Sequence, residues 1–204
     1  MKRILLFVLP LALIVVPSVC YQNLWLNLKK KKKEKIHLLW TYIMMIYLWF
    51  VFSVAGIGSI WDIIDNGGII NTINGANINL IPFQSEGVFT YGMNIIMFMP
   101  LGFLIPFIWR NYRKLLKIVL VAGGLSVFIE FAQIPTNRIT DIDDLIMNVV
   151  GAIVGYIVWK IVGKCLFYKT ALYRIDSISN NEPVIYILLG SIFNFLFYNW
   201  KWFL

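Results

Sequence analysis

The chain has 204 residues, 60% of them hydrophobic and only 14% charged, with a net charge of +8 and a mean hydropathy of +0.77. Soluble domains carry about 45–50% apolar and about 25% charged residues, so these values exclude a water-soluble globular domain. The apolar runs are continuous rather than alternating, which excludes an outer-membrane barrel. The bases sit in short stretches between those runs, which points to an anionic lipid surface and away from nucleic acid.

What remains is an all-α fold: a polytopic transmembrane helix bundle in one domain, 1–204, of about six spans, since each span needs about 20 residues. The first apolar run, Ile4 to Val19, follows Met1-Lys2-Arg3 and contains Pro10 and Pro17. No small-x-small site follows it, so the expectation is a retained span over about 4–22, with five spans left if it is cleaved or re-entrant. The run Lys29 to Lys35 is a solvated juxtamembrane stretch suited to anionic lipids. The second span is expected over 36–54.

Gly56 to Thr90 is the longest connection and contains no Lys or Arg. It is too hydrophobic for disorder and is expected to lie on the interface. The third span, 91–109, contains Pro100 and Pro106, which should kink it. Arg110, Arg113, Lys114 and Lys117 form a second basic stretch. The fourth span is expected over 115–134, a polar loop over 135–143, and the fifth span over 144–162. A third basic stretch holds Lys160, Lys164, Lys169 and Arg174, and the last span covers 183–202, closed by aromatic residues.

Putting the Lys-rich run inside places fourteen of the 18 Lys and Arg residues on the cytoplasmic side of a plasma membrane, with both termini outside. Seven of the acids then gather on or near the outer side. Cys20 and Cys165 are isolated and make neither a disulfide framework nor a metal motif. The lone His37 falls at the cytoplasmic side.

Polar residues from three spans fall at one depth. Asn94 is near the outer end of the third span, Glu130 near that of the fourth, and Asp144 and Asn148 in the first turns of the fifth, all within about 6 Å of one boundary at 1.5 Å per residue. Ser126, Glu130 and Gln133 share one helix face, and Asp144, Asn148, Gly151 and Gly155 another. Arg138 is the expected ion partner of Glu130, with Gln133 and Asn148 completing its hydrogen bonds. The candidate binding pocket is therefore Asn94, Glu130, Gln133, Arg138, Asp141, Asp143, Asp144 and Asn148, with Gly151 and Gly155 as helix-packing residues. Three aspartates supply fewer oxygens than a hard cation needs, so no metal and no cofactor is expected. No nucleotide loop, nucleophile elbow or His-based motif is present. An acid–base role for Glu130 and Asp144 stays open.

These residues carry a resemblance. INLIPF (Ile78 to Phe83), NIIMFMPLGFLIP (Asn94 to Pro106), SVFIEFAQ (Ser126 to Gln133) and R-x-x-D-x-D-D-x-x-x-N-x-x-G-x-x-x-G (Arg138 to Gly155) occur in the order found in VanZ-like membrane proteins. The sequence resembles that family over a motif core of about 78–156, with Asn137 where the family pattern usually has Gly. Arg110 matches a further motif position. The family's namesake is an accessory protein of glycopeptide-resistance clusters linked to teicoplanin resistance in Gram-positive bacteria. The resemblance implies a similar cell-envelope setting here, not the same antibiotic; joined to the polar set, it gives the expectation of an outward-facing pocket between the third, fourth and fifth spans, roofed by Gly56 to Thr90, for a lipoglycopeptide or a lipid-linked cell-wall intermediate. It supplies no catalytic residues. A membrane-embedded hydrolase, a transporter or flippase, and a regulatory partner protein remain the alternatives.

Overall fold

In lipid a spanning backbone must satisfy its own hydrogen bonds, so long apolar runs become helices. The computed structural model describes residues 2–29, 34–83, 87–136, 138–163 and 180–199. Its elements are α1 (Lys2–Lys29), α2 (Lys35–Ala55), α3 (Ile60–Asp65), α4 (Ile69–Asn74), β1 (Asn77–Asn79), α5 (Val88–Ile108), α6 (Leu115–Gln133), β2 (Ile139–Asp141), α7 (Ile142–Val158) and α8 (Glu182–Phe197). Helices α1, α2, α5, α6 and α7 are long and apolar enough to cross a membrane. Helix α8 has 16 residues and is apolar but shorter, about 24 Å at 1.5 Å per residue. The chain is thus an all-α polytopic bundle.

Helix α1 runs unbroken through Pro10 and Pro17 and reaches Lys29, well past the expected end at 22. Helix α5 likewise continues through Pro100 and Pro106. The π turn Trp159–Gly163 carries α7 onward to the basic end of the bundle. Cys165 and residues 200–202 of the expected last span lie outside the described residues; Cys20 is an exposed free thiol.

Helices α5 and α7 form the tightest contact. A Cβ added at Gly102 would strike the carbonyl oxygen of Ala152, one at Gly151 that of Ile95, and one at Gly155 that of Met99. Backbone meets backbone at three levels, an approach only small residues permit. Around this pair, Met44, Leu48 and Val51 of α2, Phe98, Leu101 and Ile105 of α5, and Ile118, Leu125 and Ile129 of α6 form the core. The opposite faces present large exposed hydrophobes such as Phe50, Ile96, Leu120, Phe131 and Ile157. An exposed apolar surface of this extent fits contact with acyl chains.

The long connection after α2 is not a plain interfacial loop. Ser59 and Asp62 form a capping box that starts α3: the Ser59 N–H and hydroxyl donate to Asp62 Oδ2 at 2.8 and 2.9 Å. Gly58 N–H donates to Ala132 O at 2.7 Å and Asn66 Nδ2 to Pro135 O at 2.9 Å, which fastens the connection over the end of α6. Strands β1 and β2 then pair in parallel, Asn77 with Ile139, Ile78 with Thr140 and Asn79 with Asp141. Strand pairing was not expected, because three-residue strands leave no alternation to read.

Candidate functional site

The polar end of the bundle is built from helix termini. Helix α2 ends at Gly56 in the left-handed conformation (φ 63°), which leaves the Ala55 carbonyl without an intrahelical donor. Two side chains supply one: Gln133 Nε2 at 2.7 Å and Arg138 Nη1 at 2.8 Å. A Cβ at Gly56 would fall 2.9 Å from the guanidinium, so Gly56 also clears the space that Arg138 occupies. Arg138 is therefore not the ion partner of Glu130. Its cation is drawn to the negative end of α2, and no ion pair joins the two residues.

Glu130 is satisfied by backbone instead. Its Oε2 accepts from Asp141 N–H at 3.0 Å, which pins β2 to α6. The other hydrogen bonds expected of Gln133 and Asn148 go elsewhere: Asn148 Nδ2 donates to Ser126 Oγ at 2.9 Å, joining α7 to α6.

The aspartates do not form a wet loop. Asp141 is the N-cap of α7, accepting from Asp143 N–H at 3.0 Å. Asp143 is fully buried; it accepts from Phe83 N–H at 2.8 Å and from the Tyr91 hydroxyl at 2.7 Å. Asp144 accepts from Asn94 Nδ2, tying α7 to α5. With both carboxylates so engaged, Glu130 and Asp144 make no direct hydrogen bond. Among the described residues no group of three or more His, Cys, Asp and Glu is placed to hold a metal ion.

All eight expected residues thus meet at one end, but most are spent on fastening it. The open space beside them is apolar. A cavity of about 200 Å³ lies between α6, β2 and α7, lined by Leu80, Val127, Phe131, Ile142 and Leu145, and by Glu130, Thr140 and Asp141, which present almost no polar surface to it. That volume is below the roughly 300–1,000 Å³ of small-molecule pockets, so it admits a tail and not a whole headgroup.

A second polar group lies at the other end and was not foreseen. His37 Nε2 sits 3.0 Å from Glu182 Oε1, both side chains almost wholly buried, and the Tyr186 hydroxyl donates to the same oxygen at 2.7 Å. The Trp109 ring meets the imidazole edge to face. Towards the polar end, Ser18 and Gln22 of α1, Thr41 of α2, and Ser191 and Asn194 of α8 are buried along the same helix junction. Asn194 Nδ2 donates to Pro10 O at 3.3 Å. Polar side chains therefore occur at several depths, where the sequence pattern alone suggested one. The available signal was the one-sided spacing of Glu182, Tyr186 and Asn194 on α8.

Five apolar spanning helices, a fastened polar cap at one end and basic turns at the other define a multi-pass integral membrane protein. The VanZ/LLP1 family model matches residues 38–163, more than half of the chain. The chain belongs to that family. No curated protein and no solved structure matches it.

Proposed function

We propose that this protein works in the cell envelope by taking the acyl tail of an amphiphile at its polar end, in the setting of resistance to lipoglycopeptides of the teicoplanin type. The observation that carries the reading is the apolar cavity at the mouth of α6 and α7, which Glu130 helps to line without presenting polar surface to it. The basic turns belong in the cytoplasm by the positive-inside rule, which sets the cavity at the outer leaflet of the plasma membrane. Arg138 is exposed at the same end, and its free N–H groups suit a carboxylate or phosphate on the amphiphile. A lipid-linked cell-wall intermediate has the same tail-and-anion chemistry.

The test is protection of a susceptible strain. Val127→Trp, which fills the cavity from a partly exposed position, and the pair Glu130→Gln and Arg138→Ala should each abolish it at unchanged protein level. Full protection by all of these variants would refute the reading.

Transport is the second reading, supported by the buried polar residues at several depths between α1, α2 and α8. Flux of a labelled lipid across proteoliposomes, lost in Glu182→Gln and kept in Val127→Trp, would place transport first.

A further inference from the structure

One wall of the tail cavity is built differently from the rest. Val127, Phe131, Ile142 and Leu145 belong to the spanning helices α6 and α7. Leu80 is 69% exposed and comes from the strap Asn77–Phe83, which lies outside those helices. An anchor holds the strap on each side of Leu80. Before it, Asn79 pairs with Asp141 as the last step of β1. After it, Phe83 N–H donates to both carboxylate oxygens of Asp143, at 2.8 and 3.0 Å. We propose that Asp143 is a positioning residue for the tail: through the Phe83 N–H it holds the Leu80 wall against the cavity. The inference rests on the tail-binding reading and adds to it a residue that acts without touching the ligand.

The backbone at Phe83 shows why the second anchor is needed. Its φ is 63°, in the left-handed region, and among the described residues no other non-glycine residue has a positive φ. An aromatic residue adopts that region only at a cost. Packing of the ring does little to offset it, since Phe83 is 67% exposed. A backbone in so costly a region persists where its surroundings hold it, and the bonds to Asp143 are such a hold. A carboxylate suits the task, because hydrogen bonds to it are stronger than those to a neutral acceptor. Asp143 is itself fixed. It is fully buried in the first turn of α7, and the Tyr91 hydroxyl of α5 donates to its Oδ2 at 2.7 Å. Ile81 N–H donates to Asn79 Oδ1 at 3.1 Å and turns the strap between its two anchors. Freed at Phe83, the strap keeps only the three-residue pairing with β2, and a two-stranded pair is marginal by itself. Leu80 then swings away, and bilayer chains exchange with the bound tail.

The test uses the full chain in phosphatidylcholine nanodiscs and a teicoplanin-type lipoglycopeptide carrying a diazirine in its acyl tail. After irradiation, adducts at Val127, Phe131 and Leu145 are counted against adducts at Ile157, which is exposed further along α7. The ratio is taken within one protein, so a loss of stability or yield by itself leaves it unchanged. The parent should show adducts enriched at the cavity. Phe83→Pro removes the N–H and forbids a positive φ at an exposed position, and should lower the enrichment by about tenfold or more, the factor that one hydrogen bond to a charged group carries. Phe83→Gly keeps the N–H and admits the same φ, and should keep most of the enrichment. Asp143→Asn keeps an acceptor but loses the charge, and should fall between the two. Asn66→Ala frees the same connection at its bond to Pro135 O and should leave the ratio at the parent value. A parent without enrichment would sink the tail-binding reading and this inference together. An enriched parent whose ratio survives Phe83→Pro, falls as far in Phe83→Gly, or falls as far in Asn66→Ala would overturn the role of Asp143 alone.

Discussion

Glu130 and Glu182 are both buried carboxylates on apolar helices, and they do different work. Glu130 lies on α6 within the family-matched region, accepts from a backbone N–H, and borders a cavity at the bundle surface. Glu182 lies outside that region, is fully enclosed, and is held by an imidazole and a phenol from its own and a neighbouring helix. The first fastens a cap and leaves room beside it. The second fastens α8 to α2 from an enclosed position. A buried carboxylate in a membrane bundle is therefore not a site by itself; the space next to it decides.

That contrast can be broken in graded steps. The largest effect is expected at the enclosed pair: His37→Leu or Glu182→Leu alone removes one side of a buried ion pair and should cost about 3–5 kcal/mol, read as a fall in melting temperature in detergent. The double variant His37→Leu with Glu182→Leu should recover most of that loss, and a double variant as unstable as the worse single would show that the pair is not acting as a unit. Next comes the frame beneath Glu130. Gly155→Val forces side-chain atoms into the Met99 carbonyl and should cost about 3 kcal/mol, whereas Gly124→Ala, which meets nothing within 4 Å, should stay within about 0.5 kcal/mol of the parent. Asp143→Asn should cost about 1–2 kcal/mol and speed amide exchange at Phe83 without changing exchange in α8. The smallest stability effect among the polar-end carboxylates is expected for Glu130→Gln, under about 1 kcal/mol, because the amide oxygen still accepts from Asp141 N–H. A large destabilisation there would show that the carboxylate is structural and would undercut its proposed place beside a ligand.

The spans could be read from the chain because lipid leaves an apolar run one way to satisfy its backbone. The third and fourth spans, expected over 91–109 and 115–134, correspond to helices Val88–Ile108 and Leu115–Gln133. The gathering of Asn94, Glu130, Asp144 and Asn148 at one end was legible for the same reason, since depth follows from position along a helix. Their partners were not. Arg138 and Glu130 are close in sequence and opposite in charge, yet the guanidinium reaches Ala55, 83 residues away, because a helix end exposes a carbonyl that sequence charge does not display. Phe83 and Asp143, 60 residues apart, meet next to the pairing of β1 with β2.

The sequence by itself determined the membrane class, the helical class and the level at which Asn94, Glu130, Asp144 and Asn148 lie, all through the composition and length of single runs. Only the tertiary structure decided which polar groups are consumed by fastening, that the space left beside Glu130 is apolar, and that His37 meets Glu182 across 145 residues. The reason is that burial and hydrogen-bond partnership belong to pairs of elements. Helix packing chooses those pairs here through backbone contacts at Gly102, Gly151 and Gly155, whose consequences no single run encodes.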